Sequence, residues 1–206
     1  MSAEKAAPAA PPPPLRIAIS GGPGAGKSSV VRAFADRHPQ RAQLVPEVAT
    51  LLFAHVFPSV QSAAQRMAVQ SAIYHTQLSL EAVYAERQLP AQVLLCDRGT
   101  VDGAGYWPDG IAAFFTAMQT DPERELGRYD AVLFLESAAV GGHSISQGNP
   151  TRLEDAHTAI AINEQLRSAW APHRRVVHVA HTPDFASKVE RGVQALQGLL
   201  GITDQP

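Results

Sequence analysis

Gly21, Gly22, Pro23, Gly24, Ala25, Gly26, Lys27 and Ser28 fit the spacing G-x-x-x-x-G-K-[ST] without a gap, and Ser29 follows directly. Glycines at such positions let successive backbone N–H groups turn inward around phosphate oxygens, where side chains would stand in the way. A helix opening at the end of the loop aims its positive end at the same anion. Lys27 is then placed to reach the β- and γ-phosphates of a nucleoside triphosphate, and the Ser28 hydroxyl to ligate Mg²⁺. The motif is short enough to arise by chance, so its context decides: it must leave a strand and enter a helix.

Two carboxylates are candidates to share a cleft with that loop. Asp97 closes the apolar run Val93-Leu94-Leu95-Cys96, and a carboxylate at such a strand end holds Mg²⁺ or accepts a substrate proton. Glu47 closes the shorter run Leu44-Val45-Pro46 and suits the remaining one of those two roles, or else caps a helix beginning at Val48. Arg98, beside Asp97, is placed to clamp an anionic or hydroxylated substrate, or to pair with a surface acid. Arg152 is the sole arginine between Ser137 and Leu166, a stretch without lysine. It is the candidate to close over a transferring phosphoryl group, a contact worth about 10³–10⁵ in rate, or else an ordinary first-turn helix residue. Arg128 and Arg167 are weaker candidates. Tyr106 and Trp107 are placed either to stack on a ring substrate or to anchor a loop in the core. The eight histidines are scattered, without zinc-ligand spacing.

The elements that must position these residues alternate. Strands are expected at Leu15–Ser20, Leu44–Glu47, Val93–Asp97, Asp130–Glu136 and Arg175–Ala180. Helices are expected at Ser28–Arg37, Val48–Phe57, Gln61–Gln88, Ile111–Met118, Thr151–Trp170 and Pro183–Leu200. Gly99–Gly110 and Ser137–Pro150 read as loops, the second as a mobile one. Such alternation predicts an α/β fold with a parallel sheet covered on both faces, its ligands at the carboxyl ends of the strands. Residues 15–206 read as one domain, and residues 1–14, rich in Ala and Pro, as a disordered or polyproline-like tail rather than a secretory signal.

Composition narrows the partners. A net charge of −2 leaves no overall basic footprint, so no nucleic acid is expected. No apolar stretch approaches the roughly 18 residues of a membrane span. The lone Cys96 rules out an internal disulfide and fits a reducing, cytoplasmic setting.

The ordered set is more specific than any single motif. The glycine loop, Val45-Pro46-Glu47-Val48-Ala49, Asp97-Arg98-Gly99-Thr100-Val101-Asp102-Gly103, Tyr106-Trp107-Pro108, Tyr129 to Glu136, Asn149-Pro150-Thr151-Arg152-Leu153-Glu154 and Trp170 before His173 together resemble the NadR-like P-loop ATPase/kinase family. That family is also classed with AAA-type ATPase domains and includes nicotinamide riboside kinase domains. The resemblance runs from Leu15 to the final helix. It implies a three-layer P-loop NTPase fold, nucleoside-kinase-like, with a five-stranded parallel sheet in the order 2-3-1-4-5. It implies ATP, with GTP possible, at Gly21 to Ser28, and a cleft containing Glu47, Asp97 and Arg98. By likeness to deoxynucleoside kinases, Glu47 resembles their general base and Asp97-Arg98 their acid-Arg-Ser motif, with Gly99 in place of the serine. The resemblance carries no adenylyltransferase domain.

Two functions compete on these residues. One is a kinase passing the γ-phosphate of ATP to a small, nucleoside-like acceptor. The other is an ATPase or GTPase switch for a protein or lipid partner, with Val48–Phe57 and Ser137–Pro150 as its responsive segments. No guanine-reading Asn/Thr-Lys-x-Asp motif is visible, which favours ATP. The loop His181-Thr182-Pro183-Asp184-Phe185, after the last strand, is the candidate base contact.

Overall fold

A computed structural model describes residues 13–86, 93–142 and 155–202. Five parallel strands form one sheet in the order β2-β3-β1-β4-β5. They are β1 (Leu15–Ser20), β2 (Ala42–Val45), β3 (Val93–Asp97), β4 (Ala131–Leu135) and β5 (Val176–Val179). The helices are α1 (Lys27–Arg37), α2 (Val48–His55), α3 (Ala63–Glu86), α4 (Ile111–Ala117), α5 (Pro122–Leu126), α6 (Ala156–Trp170) and α7 (Phe185–Leu200). The expected sheet order is therefore the observed one.

Strand parity decides which residue faces which layer, because successive side chains point to opposite sides of the sheet. The odd positions Ile17, Ile19, Val93, Leu95, Leu133 and Leu135 pack with Val31 and Phe34 of α1 and Val193 and Leu196 of α7. The even positions Ala18, Leu94, Cys96, Val132 and Phe134 face the other layer, with Tyr74, Phe114, Leu166 and Trp170. With both faces covered, β3 and β4 are buried along their whole length, and so read as unbroken apolar runs.

Three local differences from the sequence reading matter. Strand β2 ends at Val45, so Glu47 lies beyond it, at the residue preceding α2. Residues Thr100–Tyr106, expected as loop, form a 3₁₀ helix. The short α5 was not anticipated; Asp121 starts it by accepting from Arg124 N at 2.8 Å, with Pro122 at its first position. The tail up to residue 12, and residues 143–154 with Arg152, lie outside the described residues.

Candidate functional site

The glycine loop joins β1 to α1, the context its motif requires. Gly21 has φ 138°, and a Cβ there would lie 1.9 Å from the Leu135 carbonyl oxygen, so only glycine fits between β1 and β4. Gly26 has φ 87° and precedes α1. The Lys27 amine turns back and donates to the carbonyls of Gly21 at 3.0 Å and Gly22 at 3.3 Å. Burial, and secondarily Arg98, bring its pKa down from 10.5 to about 8, against the pull of Glu47, Asp97 and Asp102.

Parity separates the two residues of the Asp97-Arg98 pair. Asp97 shares the odd face of β3 with Leu95 and so meets α1, where Ser28 Oγ donates to its Oδ2 at 2.6 Å. Its Oδ1 is buried without a hydrogen-bond partner among the described residues. Burial raises the Asp97 pKa, helped by Glu47 and opposed by Lys27 and Ser28. A hydroxyl and a carboxylate oxygen short of a partner are hard donors, and they fit Mg²⁺ held chiefly by phosphates and water.

Arg98 turns to the opposite side of the cleft. Its φ is 78°, a left-handed conformation uncommon outside glycine and concentrated at functional sites. Its backbone is held at both ends: its N–H donates to the Ile19 carbonyl at 3.1 Å, and its carbonyl accepts from Gln77 Nε2 at 3.2 Å. The guanidinium donates from Nε to Glu47 Oε1 at 2.6 Å and from Nη1 to Asp102 Oδ1 at 3.1 Å, and lies 5.3 Å from the centre of the Tyr106 ring. The partners of Arg98 are thus acids of the cleft, not of the surface. Burial opposes its charge, but Tyr106, Glu47 and Asp102 hold its pKa well above the ordinary value. For Glu47, burial pushes upward, yet Arg98, Lys27 and the Thr50 hydroxyl outweigh it and bring the carboxyl down to about 2. Glu47 occupies the cap position of α2 without a side-chain cap bond; its Oε2 accepts from Thr50 Oγ1 at 2.6 Å.

Asp102 organises this arrangement and was given no role from sequence. It accepts from Ser20 Oγ at 2.9 Å, Arg98 Nη1, Gly99 N at 3.1 Å and Trp170 Nε1 at 3.1 Å. The usable signal was an acid four residues after Arg98 and three after Gly99, a helix-opening spacing. Gly99 itself has a steric reason: a Cβ there would meet Trp170 at 2.8 Å and Tyr129 at 3.0 Å. A serine would not fit without displacing them.

Glu47, Arg98 and Tyr106 stand on the wall of a cavity of about 610 Å³ that also touches Pro23 of the glycine loop. Phe53 and Phe57 from the α2 side and Ile73 and Tyr74 from α3 make it largely apolar. A concave, apolar pocket with a few convergent polar groups suits a small organic molecule. Trp107 is not part of this wall. It is buried, 5.6 Å ring to ring from Phe114. The two weaker arginine candidates are engaged elsewhere: Arg128 with buried Glu81 at 3.0 Å, and Arg167 with exposed Glu164 at 2.5 Å. At the other end of the glycine loop, Phe185 is 56% exposed, and a Cβ on Gly26 would meet its ring at 3.0 Å. The segment after β5 therefore reaches the loop. Among the described residues, no group of three or more His, Cys, Asp or Glu is placed to hold a metal, and no helix is long and apolar enough to cross a membrane.

No match is found among curated proteins. Among solved structures, the fold is similar to that of deoxyadenosine kinase from M. mycoides with bound dATP, at 12% identity and a TM-score of 0.61, over 89% of this chain and 99% of that one. It is also similar to NadR protein in complex with NAD and AMP-PNP, at 13% identity and a TM-score of 0.63, over 94% of this chain. The match covers 51% of the NadR chain, so this chain spans about half the length of that protein. These likenesses establish a P-loop, nucleoside-kinase-like fold, in agreement with the resemblance read from the motifs. The family profile described as AAA domain matches residues 16–188, most of the chain, and the chain belongs to that family.

Proposed function

We propose that the chain is a kinase that passes the γ-phosphoryl group of ATP to a hydroxyl of a small, nucleoside-like molecule. One observation carries the reading: the Glu47–Arg98 pair lies on the wall of the cavity, whereas Asp97 turns away from it onto Ser28. The two carboxylates thus divide the two roles open to them, Glu47 serving the acceptor side and Asp97 the nucleotide side.

The backbone of Gly21 to Gly26, with Ser28 and Ser29 at the start of α1, would hold the phosphates, and Lys27 would trade its two carbonyl partners for phosphate oxygens. Ser28 and Asp97 would hold Mg²⁺, which when bound neutralises charge on the β- and γ-phosphates. The acceptor oxygen bonds to the γ-phosphorus as the bond to the ADP oxygen breaks, and the hydroxyl proton passes to Glu47. A carboxylate with a pKa of about 2 is a weak base. It suffices because a loose transition state asks for the proton only late, so Glu47 chiefly orients the hydroxyl. Arg98 fixes Glu47 through Nε and leaves Nη2, unpartnered among the described residues, for a substrate oxygen. Arg152 remains the candidate arginine over the phosphoryl group. ATP is favoured over GTP by the lack of a guanine-reading motif, and the adenine nucleotides in the two similar structures support it. A cytoplasmic setting accords with the single, buried thiol of Cys96.

The test is transfer of label from γ-labelled ATP to a panel of nucleosides and related alcohols. Transfer to at least one acceptor, abolished by Lys27→Ala, is expected. Slow release of inorganic phosphate that no acceptor accelerates would overturn the kinase reading in favour of a nucleotide switch.

A further inference from the structure

The charged side chains on the wall of the acceptor cavity are Glu47, Arg66, Arg98, Asp102 and Asp155. All but one are engaged. Glu47 accepts from Arg98 Nε and from Thr50 Oγ1, each at 2.6 Å. Asp102 accepts from Arg98, Ser20, Gly99 and Trp170. Asp155 caps α6, its Oδ1 accepting from Thr158 N at 2.7 Å. Arg66 is the exception: among the described residues its guanidinium makes no hydrogen bond or ion pair.

The backbone that carries Arg66 is fixed. Ser62 Oγ accepts from Gln65 N at 3.1 Å, and Gln65 Oε1 accepts in return from Ser62 N at 3.1 Å, a reciprocal cap that starts α3. That end of the helix is its positive one, and its first turn holds no acid. A cation there therefore costs the helix a little stability and is not compensated from within it. From this point one face of α3 runs along the cavity. Arg66, Gln70, Ile73 and Gln77 all line it, at the spacing of a single helical stripe. Gln77 marks the inner end, where it donates to the Arg98 carbonyl at 3.2 Å. The helix between Gln77 and Arg66 is about 16 Å long. The Glu47–Arg98 pair thus stands at one end of the cavity, and an exposed, unpaired cation at the other.

We infer that the acceptor carries an anionic group, a carboxylate or a phosphate, at the end remote from its reacting hydroxyl, and that Arg66 binds it at the mouth of the cavity. This rests on the kinase reading and names a feature of its substrate. The planar guanidinium matches either anion with two parallel N–H donors, and the positive end of α3 adds to the attraction. The acids on the wall do not oppose it strongly, since each is already held by donors. The separation between hydroxyl and anion is on the order of 10 Å or more, from the length of helix between the two ends.

The test is transfer from γ-labelled ATP to adenosine and uridine, unsubstituted and with a carboxyalkyl chain of graded length on the base, each carboxylate paired with its methyl ester. Wild type is compared with Arg66→Gln and Arg66→Glu; the exposed side chain makes no contact whose loss would unfold the chain. The expected result is a KM for the best carboxylate at least tenfold below that of its ester. Arg66→Gln should bring the two KM values within about twofold of each other, and Arg66→Glu should favour the ester. Esters or unsubstituted nucleosides used as well as the carboxylates by wild type, or a preference that survives in Arg66→Gln, would overturn the inference and leave the kinase reading intact. Transfer to no member of the panel would overturn both.

Discussion

Raising the pH from 7 to 9 is expected to weaken triphosphate binding by about tenfold, with Lys27 as the cause. Its amine is buried, and burial together with Arg98 brings its pKa from 10.5 to about 8 despite Glu47, Asp97 and Asp102. That drop corresponds to about 3 kcal/mol of unfavourable charge in the nucleotide-free loop. The sign follows from proton counting. Between pH 8 and 10.5 the unfolded chain holds this proton more firmly than the folded one, so the lysine's contribution to stability rises with pH there, its penalty being full below pH 8. Nucleotide binding runs the other way. Phosphate oxygens raise the pKa of the amine, so binding takes up a proton wherever the free lysine has lost it. The protonated fraction of a group with pKa 8 falls from about nine-tenths at pH 7 to about one-tenth at pH 9, whereas the terminal phosphate, with a second pKa near 6, stays ionised. The assay is isothermal calorimetry of AMP-PNP binding in buffers of differing ionisation enthalpy, with uptake of about half a proton expected at pH 8. Lys188 is also brought to about 8 by burial, against Glu136, so Lys27→Met is the control that assigns the effect. That variant should bind weakly and without this pH dependence. A second perturbation fixes the sign: Glu47→Gln removes a charge that raises the Lys27 pKa and should move the midpoint downward. Affinity constant from pH 7 to 9.5, or a fall that survives in Lys27→Met, would refute the reasoning.

Other perturbations separate the roles at the cleft. Glu47→Gln should lower kcat by about 10²–10³ and change the Kd for ATP at pH 7 only a few-fold, measured by steady-state kinetics and direct binding. Since Glu47 stays ionised down to about pH 2, it should not set any acid limb of the kcat profile seen above pH 4; a limb there that vanished in Glu47→Gln would contradict its ion pair with Arg98. Asp97→Asn should raise the Mg²⁺ concentration needed for half-maximal activity by at least tenfold, read from a metal titration at saturating ATP. An unchanged titration would remove Asp97 from the metal. Tyr129→Phe should destabilise the fold by about 2–4 kcal/mol with an unchanged denaturant slope, because its hydroxyl both donates to buried Glu81 at 2.6 Å and accepts from Thr100 N at 2.7 Å.

What was legible in the sequence follows from what acts locally. Strands β3 and β4 announce themselves because both faces are covered, which leaves no polar position in Leu94-Leu95-Cys96 or Val132-Leu133-Phe134. The glycine loop is legible because backbone geometry alone selects its residues, as the 1.9 Å clash at Gly21 shows. Asp97 was readable by position, and parity even dictates its side: an odd-numbered strand end on the α1 face must meet Ser28. Glu47 was placed at a strand end because Pro46 interrupts no apolar pattern, although pairing stops at Val45. Its true position, before α2, carries it across the cleft to Arg98.

Residues whose meaning is set at long range stayed dark. Asp102 sits in a glycine-rich stretch that reads as loop, and its partners Ser20 and Trp170 are 82 and 68 residues away. Asn163 opens the polar run Asn163-Glu164-Gln165, and nothing in that run distinguishes the one side chain that faces the core. Only burial picks it out, and only a count of its hydrogen bonds shows that one donor is unspent. Asp97 Oδ1, beside Ser28, is likewise buried without a hydrogen-bond partner among the described residues. A carboxylate oxygen without a partner, beside the Ser28 hydroxyl that its sister oxygen accepts from, is a deficit that a cation would satisfy. The divalent cation that accompanies a bound triphosphate would supply that partner.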